Sequence, residues 1–375
     1  MDFAKSDIQT MLLDSAERLL GERAGVDYWR EQREGPRSFD SARWAQFAEL
    51  GWLALPMPEA AGGLNGSVED VALLNIALGK ALATEPYVSS VVLAGHIIGA
   101  ATEDKSTPLL AAIAEGSLLL ALAHQEAGRD PLTTSPPATI ARRRAEGYGL
   151  SGMKLMALDA PFADKFIVSA AIEGEDGTAL FLVDRGAPGV SLDPYPLVDG
   201  TRAADITFVD VALRHEALLA GGNSGAALLA EAIDRAGIAF IAQAVGSMEA
   251  CLKICGDYAK ERKQFGAAIG SFQAIQHLLA DMFVAAHQAR SMLYHAIAHN
   301  GAEPGRRAAA LSAARLVVGE AGQLVSRNGI QLHGGYGLTD EYAIGHHYRR
   351  LMVLEKLFGD IDRHCRRFGE TVFPG

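Results

Sequence analysis

The sequence predicts an α+β protein, mainly α, with helices on either side of a small β domain. Three observations lead there. Apolar residues recur at three- and four-residue spacing over the first hundred or so positions. Short apolar runs punctuated by Gly, Asp and Pro follow. Long Ala/Leu-rich periodic segments then fill the remainder. The expected organisation is an N-terminal helical domain (1–116), a middle antiparallel β-barrel domain (117–220) and a C-terminal four-helix bundle (221–375).

The elements follow in order. Ile8, Met11, Leu12, Ala16, Leu19 and Leu20 line one face of a first helix. Ser38 or Asp40 caps a helix carrying Trp44, Phe47 and Leu50, which Gly51 ends. Val68–Ala83 forms another helix ahead of the breaker Glu85-Pro86. Strand-like runs occupy Leu118–Ala123, Ala138–Ala141, Tyr148–Leu150, Phe166–Ala171, Ala179–Val183, Val190–Leu192 and Ile206–Val209. Four long helices are expected at Ala226–Lys260, Phe272–His299, Arg306–His333 and Ala343–Phe368.

Composition narrows the class. The chain has 375 residues, 49% of them hydrophobic and 21% charged, so it has the means to bury a large core and does not read as disordered. Its net charge of −11 disfavours a general nucleic-acid binder, which must neutralise phosphates with Lys and Arg. Cys251, Cys255 and Cys365 form neither a disulfide framework nor a zinc motif. The N-terminal segment lacks the pattern of a signal peptide, and Val88–Ala101 is too short to span a bilayer. The expectation is a soluble cytoplasmic protein with no membrane and no metal. All three tryptophans (Trp29, Trp44 and Trp52) fall in the first 52 residues.

Two C-terminal segments point further. One runs Arg262-Lys-Gln-Phe-Gly266, followed by the pair Phe272-Gln273. The other is Gln331-Leu-His-Gly-Gly-Tyr-Gly337. Together they resemble the acyl-CoA dehydrogenase family, and the helix–strand–helix order matches that fold over nearly the whole chain. The resemblance implies FAD as cofactor, an acyl-CoA as substrate and α,β-dehydrogenation as the reaction. It also implies an electron-transfer flavoprotein as electron acceptor and a dimer or tetramer as the working unit. Arg262, Gln264, Phe265, Gln273, Gln331, Gly334 and Gly335 would then hold the adenosine-diphosphate half of an FAD whose ring lies in a neighbouring subunit. The chemistry of these residues agrees. Arg262 offers a planar donor fork for phosphate, the glutamines offer amides to ribose or adenine, Phe265 offers an aromatic face, and the glycines leave room for a cofactor.

The sequence departs from the pattern where the reaction occurs. Most members resemble a Tyr-Glu-Gly-Thr segment whose Glu is the base, and here the register gives Leu357-Phe-Gly-Asp360, with Phe358 at the base position. Other members carry the base where this chain has Ala236. Asp234, two residues earlier, is a candidate substrate contact near the CoA, and Glu355 is a weak candidate for a substitute base. Near the flavin ring the match is Ala123-His-Gln-Glu-Ala-Gly-Arg-Asp130, which loses the family's Thr, Glu, Pro and Ser. In Gly152-Met-Lys-Leu-Met-Ala-Leu158, Met156 replaces the usual Trp and Leu158 the usual Thr. Residues for the diphosphate side persist while ring-side and base residues are missing. The small subunit of heteromeric acyl-CoA dehydrogenases, of the pimeloyl-CoA dehydrogenase type, shows the same division. The resemblance therefore implies a larger homologous subunit that supplies the base and the ring pocket. A homo-oligomer with an atypical base and a non-catalytic scaffold are the alternatives.

Overall fold

The computed structural model describes residues 5–22, 24–35, 37–101 and 103–373. Helices α1 (Asp7–Glu22), α2 (Val26–Glu34), α3 (Ser41–Glu49), α4 (Val68–Lys80), α5 (Gly95–Gly99) and α6 (Glu103–Ala114) come first. Strands β1 (Leu120–Ala123), β2 (Ile140–Arg144), β3 (Gly147–Leu158), β4 (Lys165–Ile172), β5 (Ala179–Asp184), β6 (Val190–Pro196), β7 (Arg202–Leu213) and β8 (Leu218–Ala220) follow. Helix α7 (Gly222–Glu261) then leads into a small hairpin, β9 (Lys263–Gln264) and β10 (Ala267–Ala268). The chain ends with α8 (Gln273–Ala298), α9 (Pro304–His333), α10 (Ala343–Lys356) and α11 (Ile361–Val372). This is the predicted fold class: N-terminal helices, a central mostly antiparallel sheet and a C-terminal helical domain. Two compact units form. One holds Pro36–Ser67 and Thr84–Ala236, the other Met1–Gly35, Val68–Ala83 and Gly237–Gly375, so the division falls within α7.

In the first unit the sheet order is β6-β7-β3-β2-β4-β5-β8, with β1 beside β4. The path is open, ending on β6 and β8, and the β1–β4 and β2–β4 pairings are parallel. Its core joins large side chains (Phe166, Phe181, Phe208, Tyr148) to small ones (Ala123, Ala141, Ala170, Ala204), which lets the layers interdigitate. Asp40 caps α3 by accepting from the Ala42 N–H at 2.8 Å. Trp44 and Trp52 are buried there, the former donating from Nε1 to Gly116 O at 3.1 Å.

The second unit is helical. Helices α4 and α7 touch backbone to backbone: a Cβ added at Gly246 would stand 2.0 Å from Ile76 O, and one at Gly79 2.1 Å from Gln243 O. A buried polar ladder follows the contact. Gln243 Nε2 donates to Asn75 Oδ1 (2.9 Å), Arg350 Nη2 donates to Gln243 Oε1 (2.6 Å), and Ser247 bonds His347 Nδ1 (2.8 Å). Burial drives the His347 imidazole down to about 3, so it stays neutral. Helices α7 and Pro304–Leu338 are long and apolar enough to cross a membrane, but an apolar 18-residue window in each is 72% and 50% buried within the protein, as in core helices.

The expected single helix Ala343–Phe368 is two. It breaks at Leu357–Asp360, where Phe358 (φ 53°) and Gly359 (φ 98°) both enter left-handed conformation and Asp360 caps α11 through the Arg363 N–H at 2.9 Å.

Candidate functional site

Arg262 leaves the C-terminus of α7 and opens the β9–β10 hairpin. Gln264 pairs with Ala267, so Phe265 and Gly266 are the two turn residues, with φ of 52° and 83°. Two positive φ values mark a type I′ turn, whose twist suits a tight hairpin. Gly266 meets that need freely, but Phe265 is strained there and is 95% exposed. An aromatic ring held out in solvent at such a cost is what a stacking ligand needs. Phe272 meets it edge-on at 6.2 Å.

Arg262, Gln264, Gln273 and Gln331 are exposed, and no side-chain hydrogen bond or ion pair engages them among the described residues. Gly334 (φ 60°, ψ −140°) ends α9 in a conformation open to glycine. Gly335 is different: its φ is not positive, and an added Cβ would meet nothing within 4 Å. This chain's own packing therefore does not require glycine at 335; an approaching ligand would. The ends of α7 and α9 that carry the two motifs meet through Tyr258 and His333, whose ring centroids lie 4.2 Å apart.

The turn that breaks α10 from α11 carries Phe358. Its ring lies nearly parallel to that of Phe240 on α7, 6.2 Å away, so the position offers an apolar face and no proton acceptor. Asp360, two residues on, caps α11 through the Arg363 N–H, and Glu355, three residues earlier, is engaged as well. Oε1 accepts the Ile361 N–H at 2.9 Å and Oε2 faces Lys356 at 3.0 Å. The turn itself is held by Arg315, 6% exposed, whose Nη2 faces the carbonyls of Leu357 (2.6 Å), Gly359 (3.2 Å) and Glu355 (3.3 Å). Burial lowers this guanidinium to about 10, against the pull of Glu355. His364, which burial and Arg315 push down to about 3, stands 3.1 Å from Phe358 O. Arg315 and Glu355 also line a small cavity of about 20 Å³ with Ile241, Val318 and Leu351, room for roughly one water.

In the other unit, Asp234 is 2% exposed and partnered, buried within α7. Ala236 is fully buried. Segment 123–130 is tied to β3 by the fully buried Lys154. Its Nζ donates to Glu126 Oε1 (2.7 Å), Ser169 Oγ (3.1 Å) and His124 O (3.3 Å). Glu126 also accepts from the Ala138 and Thr139 N–H groups at 2.7 and 2.9 Å and from the Thr139 hydroxyl at 2.7 Å. Burial pushes its pKa up, but Lys154 and these donors win and hold it at about 2; burial pulls Lys154 itself down to about 8. Within 123–130 the carboxylate that serves Lys154 is thus Glu126. Met156 (φ 49°) lies where the β3–β7 register breaks, its N–H donating to Asp205 Oδ1 at 2.9 Å; Leu158 pairs with Ala203.

Comparison with known proteins decides the family. The acyl-CoA dehydrogenase N-terminal domain matches residues 6–117 and the C-terminal domain residues 223–373. The chain belongs to the acyl-CoA dehydrogenase family. It is 32% identical to "Probable acyl-CoA dehydrogenase YngJ" of Bacillus subtilis, over 84% of this chain and 86% of that one. Its structure is similar to the ChsE4–ChsE5 complex of Mycobacterium tuberculosis (TM-score 0.91, 25% identity, all of both chains). It is also similar to butyryl-CoA dehydrogenase of Megasphaera elsdenii (TM-score 0.89, 25% identity, 99% and 100%). As a member, this chain is an FAD-dependent oxidoreductase acting on acyl-CoA. The residues above fit such a cofactor: an unengaged guanidinium, three unengaged amides, an exposed aromatic ring and a glycine facing open space.

Proposed function

We propose that this chain is the small subunit of a heteromeric acyl-CoA dehydrogenase. It completes the FAD site of a larger homologous subunit, which carries the base. The observation that carries the reading is the turn at Phe358. The base position holds a phenyl ring stacked on Phe240, and the neighbouring Glu355 carboxylate is spent on the Ile361 N–H and Lys356. Abstraction of an α proton needs a carboxylate within hydrogen-bond reach, and neither residue supplies one.

In this reading FAD, when bound, supplies the hydride acceptor for the β carbon. The chain's own residues bind and orient. Arg262 neutralises pyrophosphate charge, Gln264, Gln273 and Gln331 hold ribose or adenine, Phe265 stacks on the adenine, and Gly334 and Gly335 admit the backbone approach. Asp234 stays a candidate CoA contact. Electrons leave to an electron-transfer flavoprotein, and the assembly works in the cytoplasm. The structural likeness to ChsE4–ChsE5, a complex of two chains, supports the heteromeric reading.

The test is to purify this chain alone and with a larger homologue, then measure flavin per chain and acyl-CoA oxidation. The pair should bind FAD and turn over, and Arg262→Ala should release the flavin from it. Stoichiometric FAD with full turnover by this chain alone refutes the proposal. Unchanged FAD and turnover in Arg262→Ala would make the chain a scaffold.

A further inference from the structure

His333 sits directly before Gly334 and is unlike the other buried histidines of the helical unit. His346, His347 and His364 bond polar groups on other segments: Asp340 O, Ser247 Oγ and Phe358 O respectively. His333 Nδ1 bonds only the carbonyl of Gly329, one turn back on its own helix, at 2.7 Å. That acceptor places the proton on Nδ1 and leaves Nε2 as a bare acceptor, buried without a partner among the described residues. Burial lowers the pKa of the ring, opposed by the bond to Gly329.

The imidazole spends its faces instead. It packs against Tyr258 at 4.2 Å and Tyr342 at 4.8 Å, and the two tyrosines also meet each other at 6.3 Å. Tyr258 lies four residues before Arg262, whose N–H donates to Tyr258 O at 2.8 Å. Tyr342 packs on Tyr336, inside the glycine turn, at 4.5 Å. Gly337 packs against the base of the side chain: a Cβ there would stand 3.0 Å from His333 Cβ. A cluster of three rings, with His333 at one corner, thus joins the segment ending at Arg262 to the segment carrying Gly334 and Gly335. Leaving a buried imidazole nitrogen unpaired costs free energy, and a residue that fixes the spacing of two binding segments is one reason for a protein to carry that cost.

We propose that His333 is a positioning residue for the diphosphate side of the cofactor site. It sets the distance between the Arg262 hairpin and the Gly334–Gly335 turn by closing a three-ring cluster with Tyr258 and Tyr342. The inference rests on the FAD-binding reading above.

The experiment titrates FAD into the two-subunit complex, following flavin fluorescence, for wild type, His333→Ala, His333→Asn, His333→Phe and Arg262→Ala. His333→Ala and His333→Asn should raise the FAD Kd at least 10-fold. His333→Phe keeps a ring against both tyrosines and should restore affinity to within about 3-fold, whatever its effect on Tm. If His333→Ala binds FAD as wild type does while Arg262→Ala loses it, the positioning role is wrong and the cofactor reading stands. If Phe fails to rescue and the loss of affinity merely follows the fall in Tm, His333 is structural only and the proposal is overturned. If Arg262→Ala also binds FAD normally, the cofactor reading itself fails.

Discussion

Gly246→Ala tests the contact on which the helical unit is built. The new Cβ would lie 2.0 Å from Ile76 O, 2.9 Å from Ile76 C and 3.0 Å from Lys80 N, all backbone atoms of α4 and the end of that helix. No rotamer relieves a clash with backbone, so α4 and α7 must separate by about 1 Å. Overpacking of this kind costs about 1–3 kcal/mol. Separation also stretches the Gln243–Asn75 bond, now 2.9 Å, worth about 1 kcal/mol. Against this, Ala gains about 1 kcal/mol over Gly in helix propensity. The net is a loss of about 1–3 kcal/mol. At about 2–4 °C per kcal/mol for a large domain, Tm should fall by roughly 2–12 °C in calorimetry. Gly256→Ala is the control in the same helix: its Cβ meets nothing within 4 Å, so Tm should hold or rise. Equal responses at 246 and 256, or a higher Tm for Gly246→Ala, would refute the close-approach argument.

Three further outcomes are expected. His347 and His364 are held neutral at about 3 against 6.5 when unfolded, so the unfolded chain takes up protons first and stability falls as pH drops below 6.5. His347→Gln should flatten that limb in pH-dependent denaturation, and an unchanged slope would contradict it. Glu126 is held at about 2 against 4.5, so its contribution, present above pH 4.5, is lost between pH 4.5 and 2. It amounts to at most roughly 3 kcal/mol, and Glu126→Gln should remove this acid-sensitive part; a variant that keeps it would reassign the loss. Glu355→Ala should cost about 0.5–2 kcal/mol through loss of the bond to the Ile361 N–H, with turnover per bound flavin unchanged in the complex. A collapse of turnover in Glu355→Gln at unaltered Tm would instead make it the base.

Much of the fold was legible because it is written in local periodicity. The three- and four-residue apolar spacing marks α7, α8 and α9 to within a few residues, and Asp40 announces α3 by capping chemistry. Strand β8 and the full length of β3 were not legible. β3 holds Gly147, Gly149 and Gly152, which break any alternation, and its extent comes from pairing with β7. The break at Leu357–Asp360 was hidden for a similar reason. Apolar residues continue through it, and its carbonyls are withdrawn from helical bonding toward Arg315, some forty residues earlier.

The candidate site divides along the same line. The residue types at 262, 264, 265, 273, 331, 334 and 335, and the absence of a carboxylate at 358, belong to the linear chain. Chemistry carried by a side chain's identity needs no fold to be read, and the family followed from them. Only the tertiary structure decided that Glu355 is already engaged, that Glu126 pairs with Lys154, that Asp234 is buried, and that His333 packs on two tyrosines. A side chain's availability depends on partners that chain folding brings from distant positions, and no local pattern encodes them.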